Sequence, residues 1–175
     1  QGERYLGRDL LAAMLVRSAN DACLALAENA SASVEDFVQD MNRAVAVLEL
    51  ADTRFVNPCG WDAEGQYSTA RDLLKLARLA MEYPEIRTAV ARREFLLEST
   101  DRRHSRQLRS TNLLLGNLDG ARGVKTGFTA RAGKCLIALT ERGEHQVWLV
   151  LLGAPERWWT AHAMIDGAFD AGSAR

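Results

Sequence analysis

Apolar positions recur at helical spacing through the first half of the chain and at two-fold spacing in its last third. Leu10, Leu11, Met14 and Leu15 predict a helix over 9–16, with Asp9 as its N-cap. Ser18, Asn20 and Asp21 then bring turn-forming side chains into that run, which predicts a break and a second helix through position 28. Read locally, capping of that second helix is the leading account of Ser18 and Asn20, and facing a cleft from the break is the other. A clearer helix starts at Ser33. Asp36 stands three residues on, as in a capping box, and Val34, Phe37, Val38, Met41, Val45 and Leu48 form one apolar stripe. Asn42 on this helix faces solvent or bonds locally. Asn57-Pro58, Gly60 and Gly65 mark an irregular stretch after Leu50. Thr69 or Ser68 caps the next helix, which places Asp72 in its first turn and Leu73, Leu76, Ala77 and Ala80 inside. Tyr83-Pro84 ends it, and Pro84 opens a short helix toward Ala91.

The period changes near Phe95. A short strand is predicted over 95–97, and Ser110-Thr111-Asn112 precedes the apolar run Leu113-Leu114-Leu115, which stops at Gly116. Segments 134–140 and 146–153 read as two strands of a hairpin turning at Arg142-Gly143. Val147, Trp148, Leu149, Val150, Leu151 and Leu152 are apolar on both alternating faces, so this sheet is expected to be covered on both sides. A last helix over 158–169 turns Trp158, Ala161, Ile165 and Phe169 inward. The expected fold class is α/β of the α+β kind, in one domain over 1–175. Positions 1–93 are mainly helical, and 94–175 hold an antiparallel sheet flanked by helices and a C-terminal helix.

Composition narrows this only a little. The 175 residues are 47% hydrophobic and 26% charged, which suits one globular domain. A net charge of −1 gives no reason to expect nucleic acid or a polybasic membrane contact. The arginine-rich run over 102–109 reads as a solvated loop, with contact to an anionic polymer as the lesser reading. No apolar run approaches the about 20 residues that span a bilayer, and no secretory leader is visible. Cys23, Cys59 and Cys135 lack C-x-x-C spacing and read as small buried hydrophobes before ligands or bridges. His104, His145 and His162 lack zinc-ligand spacing, so neither a metal nor a cofactor is expected.

The chemistry-bearing stretch runs from Gly123 to Cys135 and contains Lys125-Thr126-Gly127. The ammonium supplies charge, the hydroxyl a short donor, and the glycine lets another chain lie against the backbone, a compact anion receptor. Alone, this tripeptide reads as an edge strand entered through a turn. Its company alters that. Upstream lies Ser18-Ala19-Asn20-Asp21-Ala22, and the two elements together are parts of the penicillin-binding-protein and β-lactamase site.

The chain thus resembles the serine D-alanyl-D-alanine carboxypeptidases, the low-molecular-weight penicillin-binding proteins. Further blocks carry the resemblance in order: Phe37 to Met41-Asn42, Thr53-Arg54-Phe55-Val56-Asn57-Pro58-Cys59-Gly60, Tyr67-Ser68-Thr69-Ala70-Arg71-Asp72-Leu73, Ser110-Thr111-Asn112, and Lys125 through Cys135. Cys59 and Trp61 depart from the histidine and leucine usual in this family, a change expected to affect packing at the cleft margin. The resemblance implies a partial β-lactamase/transpeptidase-like fold and acyl transfer through a serine ester on peptidoglycan stem peptides. It assigns Lys125 and Thr126 to the substrate carboxylate, Ser18 to a proton relay polarised by Lys125, and Asn20 to the substrate amide. Gly127 belongs to the binding strand, and the Phe128 backbone N–H serves as one oxyanion donor.

One family part is absent from the sequence. No serine here is followed by lysine at the third position, so S-x-x-K is missing. The expectation is a chain lacking its N-terminal portion, and the alternative a non-catalytic binder of D-Ala-D-Ala termini. By itself the chain is expected to escape acylation by penicillin, β-lactams being ligands once the upstream segment is restored. A Ser18–Lys125 dyad acting alone would have half an oxyanion hole, a loss worth about 10²–10³ in rate. A class A lactamase is disfavoured because no glutamate has asparagine four residues on; a D,D-endopeptidase is a near relation. The resemblance also implies a periplasmic or extracytoplasmic location, with any membrane association through parts outside this chain. Ser18, Asn20 and Lys125 are expected to converge on one open cleft.

Overall fold

Gly7–Arg17 forms α1 in the computed structural model, which describes residues 2–173. The helix begins earlier than expected, because the Leu6 carbonyl already accepts the N–H groups of Asp9 (2.9 Å) and Leu10 (3.1 Å). Asp9 is therefore a first-turn acid and not the N-cap, which is Leu6. There its carboxylate favours the positive end of the helix. α1 stops because Ser18 turns left-handed, with φ 58° and ψ 44°, and its N–H returns to Ala13. α2, Asn20–Ala30, follows at once. Its N-cap is Ala19, with no side-chain cap, so the capping role read locally for Ser18 and Asn20 does not occur.

α3, Val34–Val47, is capped by Ser33, whose Oγ accepts the Asp36 N–H at 3.0 Å. Asn42 reaches beyond its own helix and clamps Phe55, donating to its carbonyl at 2.8 Å and accepting its N–H at 2.9 Å. Thr69 caps α4, Ala70–Ala80. Ser68 lies instead 2.9 Å from the Thr53 hydroxyl. Asp72, 4% exposed, accepts from the Thr53 hydroxyl (2.8 Å) and the Asp52 N–H (3.1 Å), so a buried carboxylate is compensated by the loop that it fastens. Pro84 opens α5, Pro84–Val90.

The strands form two antiparallel sheets. β1 (Glu94–Glu98) pairs with β2 (Ser105–Arg109). Much of the arginine-rich run over 102–109 is therefore a strand and not a solvated loop. Its hydrogen-bonded partner is β1, while four of its five side chains stay exposed. The other sheet has the order β3-β4-β5, from β3 (Ala121–Thr129), β4 (Gly133–Arg142) and β5 (His145–Leu151). Helices cover both of its faces. Leu136, Ala138 and Leu149 meet Ala161, Ile165 and Phe169 of α6 (Arg157–Ser173) on one side. On the other, Val124, Ile137, Leu139 and Trp148 meet Leu15, Met81, Ile86 and Val90. Gly123, the third residue of β3, has φ +142°, and an added Cβ there would come 2.8 Å from Val90, so α5 and β3 can approach this closely only at glycine.

The cysteines behave differently from expectation. Cys23 and Cys59 form a disulfide with Cα atoms 5.9 Å apart, and only Cys135 is free. A hydrophobicity pattern carries no record of which loop comes to rest against which helix, so the pairing was invisible in it.

Candidate active site

β3 is an outer strand of its sheet, and it carries Lys125, Thr126, Gly127 and Phe128. Opposite stands the break between α1 and α2. Because the Ser18 side chain caps nothing, its hydroxyl is available to the cleft, and Lys125 Nζ donates to it across 107 residues of sequence. The same ammonium donates to the Thr126 carbonyl at 2.7 Å. Burial, and after it the nearby Arg157 guanidinium, lower the Lys125 pKa to about 8. With that pKa the ammonium is charged at neutral pH and gives up its proton above about 8.

Arg157, at the first turn of α6, was not singled out by the sequence. Its Nη1 donates to the carbonyls of Gly127 (2.8 Å) and Cys135 (3.0 Å), while its guanidinium lies 4.5 Å from the Trp158 ring centroid. Its Nε is buried and, among the described residues, has no hydrogen-bond partner. Two cations therefore converge at one end of β3. The only hint in the sequence was an arginine at the start of the closing helix.

Thr126 is 7% exposed and its hydroxyl lies 2.5 Å from that of Thr111. Gly127 is exposed. Its φ lies outside the left-handed region, and an added Cβ would meet only Cys135 Cβ at 3.5 Å, an ordinary contact. Neither backbone nor internal packing requires glycine there, which leaves the approach of something from outside. Phe128 is 70% exposed. Asn20, the first residue of α2, is exposed too. Its side-chain amide has no hydrogen-bond partner among the described residues and touches neither Ser18 nor Lys125 through one.

One loop touches both walls of this groove. Asn57 Oδ1 accepts the N–H groups of Cys59 (3.2 Å), Gly60 (2.8 Å) and Trp61 (3.0 Å), which gives the loop its shape. Cys59 is bonded to Cys23 of α2, and Asp62 accepts the Arg131 N–H from the β3–β4 turn at 3.2 Å. A separate hollow of about 660 Å³, lined by Arg78, Met81 and Trp148 among others, includes none of these residues. The groove combines cations, hydroxyls, an unpartnered amide and a strand edge. Such a set suits the anionic end of an extended, amide-bearing chain.

The family model described as D-alanyl-D-alanine carboxypeptidase matches residues 1–156. The D-alanyl-D-alanine carboxypeptidase DacF of Bacillus subtilis is 37% identical over 172 residues, covering 96% of this chain and 44% of the relative. The chain thus spans less than half of that relative's length. A variant of a Streptomyces DD-transpeptidase superposes with a TM-score of 0.91 at 31% identity, over 97% of this chain and 70% of that one. Penicillin-binding protein D2 of Listeria monocytogenes, in its ampicillin-bound form, gives 0.81 at 34% identity, over 94% and 68%. By sequence along nearly its whole length and by fold, this chain belongs to the D-alanyl-D-alanine carboxypeptidase family.

Proposed function

We propose that the protein is a serine-type D-Ala-D-Ala carboxypeptidase of peptidoglycan stem peptides, and that this chain supplies the recognition and proton-relay half of its site. The observation that carries the reading is the hydrogen bond from Lys125 to Ser18. A turn serine and a strand lysine have no structural need to meet, whereas carboxylate binding and leaving-group protonation require them together. Lys125 and Thr126, with Arg157 beside them, receive the terminal carboxylate. Gly127 gives the peptide room against the strand, and Asn20 bonds its amide. The Phe128 N–H, on the outer strand, is one donor to the developing oxyanion. When the bond between the D-alanines breaks, the leaving nitrogen takes the Ser18 hydroxyl proton, and Ser18 regains one from the Lys125 ammonium.

The serine nucleophile of an S-x-x-K motif does not occur in these residues, so the residues named above account for recognition and proton relay and not for acylation. Penicillins share the carboxylate and the amide-like carbonyl, and the ampicillin-bound relative supports β-lactams as ligands of the complete site. The substrate lies outside the cytoplasmic membrane, a compartment in which the Cys23–Cys59 bridge persists. No helix among the described residues is long and apolar enough to cross a membrane.

The test is binding of an N-acylated D-alanyl-D-alanine peptide and of its C-terminal amide to this chain, followed by backbone amide shifts. The acid should bind more tightly and perturb Ser18, Asn20 and Lys125 through Phe128, and Lys125→Ala should abolish its advantage. Equal binding of acid and amide, or shifts elsewhere, would overturn the reading.

A further inference from the structure

We propose that Thr111 is a positioning residue of this groove, its hydroxyl donating to Thr126 Oγ1 so that the Thr126 proton is presented to an anionic ligand. The inference rests on the carboxylate-binding reading given above. The two hydroxyl oxygens lie 2.5 Å apart, 15 residues apart in sequence, and neither hydroxyl has another hydrogen-bond partner among the described residues. Thr126 is nearly buried, so little water is available to orient it.

Each hydroxyl has one proton, and the bond between them uses only one of the two. If Thr126 donates to Thr111, it turns lone pairs toward the ligand and repels a carboxylate. If Thr111 donates, the Thr126 proton is free, and a hydroxyl that already accepts one bond is the stronger donor. An anion selects the second arrangement, and Thr111 makes it available without a search over rotors.

Thr111 is itself held firmly. Its N–H donates to the Val16 carbonyl at 3.1 Å, and that of Ser110 to Arg93 at 2.8 Å. Behind it the Asn112 carboxamide accepts the Leu114 N–H at 3.1 Å, and Leu114 is 1% exposed. A β-branched side chain on an anchored backbone has few rotamers to choose from. Val16 lies two residues before Ser18, so the connection closes on itself, from Ser18 through Val16, Thr111, Thr126 and Lys125 back to Ser18. The relay and the carboxylate donor are thereby set in one frame.

The test compares the acid and amide peptides on wild type, Thr111→Val and Thr111→Ser. Valine keeps the shape and removes the donor. Its affinity for the acid should fall about ten-fold, the scale of one hydrogen bond, with the amide little changed. Serine should restore the wild-type ratio. Thr111→Ala repeats the measurement should the valine variant fail to fold. Acid-to-amide ratios unchanged in the variants lacking the hydroxyl overturn the inference while leaving the groove's function standing. A wild-type chain that does not tell acid from amide overturns that function, and this inference with it.

Discussion

Cys23 and Cys59, 36 residues apart in sequence, are covalently joined, and the bridge fixes the Asn57–Trp61 loop to the helix that begins with Asn20. The loop also reaches the opposite wall through Asp62 and the Arg131 N–H. The separation of the two walls is thus set partly by a covalent bond.

Closing a loop of this length removes enough freedom from the unfolded chain to stabilise the fold by about 3–4 kcal/mol. Thermal unfolding with and without reductant should show that loss, and Cys59→Ser should reproduce it without reductant. Alkylation of the unfolded chain should label Cys135 alone before reduction and all three cysteines after it. Labelling of three thiols without reductant would overturn the pairing.

The lowered pKa of Lys125 fixes the sign of a pH effect. Below about 8 the ammonium is charged and ready for an anion. Above that value each bound carboxylate must bring a proton, so affinity for the acid peptide should fall by up to about ten-fold per pH unit. Folding runs the other way. The unfolded chain keeps this proton up to 10.5, whereas the folded chain releases it near 8. The unfolded state binds more protons in that window, so the contribution of Lys125 to stability rises with pH across it. Titration of the Lys125 side-chain resonances beside the binding curve checks both. Flat affinity through this window would remove Lys125 from carboxylate recognition.

Ser18 occupies a backbone conformation that glycine adopts without penalty, at φ 58°. Ser18→Ala and Ser18→Gly both delete the hydroxyl, so both should lose the proposed proton relay equally. The glycine variant should nevertheless be the more stable of the two by about 1 kcal/mol, or roughly 3 °C in melting temperature. Melting curves of the pair make the comparison. An alanine variant as stable as the glycine one would show that the turn carries no such strain.

Much of the fold was legible because amphipathic helices and the β4–β5 hairpin bury periodic side chains. Ser33 acts as the cap that its spacing announced, and of the two candidates Thr69 and Ser68 it is Thr69 that caps α4. β2 was not legible, since arginine, glutamine and serine dominate it and its pairing with β1 involves little burial. In the groove, Ser18 and Lys125 could be named from motifs, and the fold brings them together. Arg157, the Thr111–Thr126 contact and the disulfide depend on approaches between distant segments, and single residues carry no periodicity from which to infer them.

β3 is an outer strand, and an open strand edge invites the wrong neighbour as readily as the right one. Two features make promiscuous pairing harder: the register shift between Ala121 and Gly123, and the lysine charge drawn in toward Ser18. Lys125 is therefore expected to discourage edge pairing as well as to receive the anion. A Lys125 variant should then lose solubility as well as recognition, and a native far-UV spectrum beside that loss distinguishes an unguarded edge from a failure to fold.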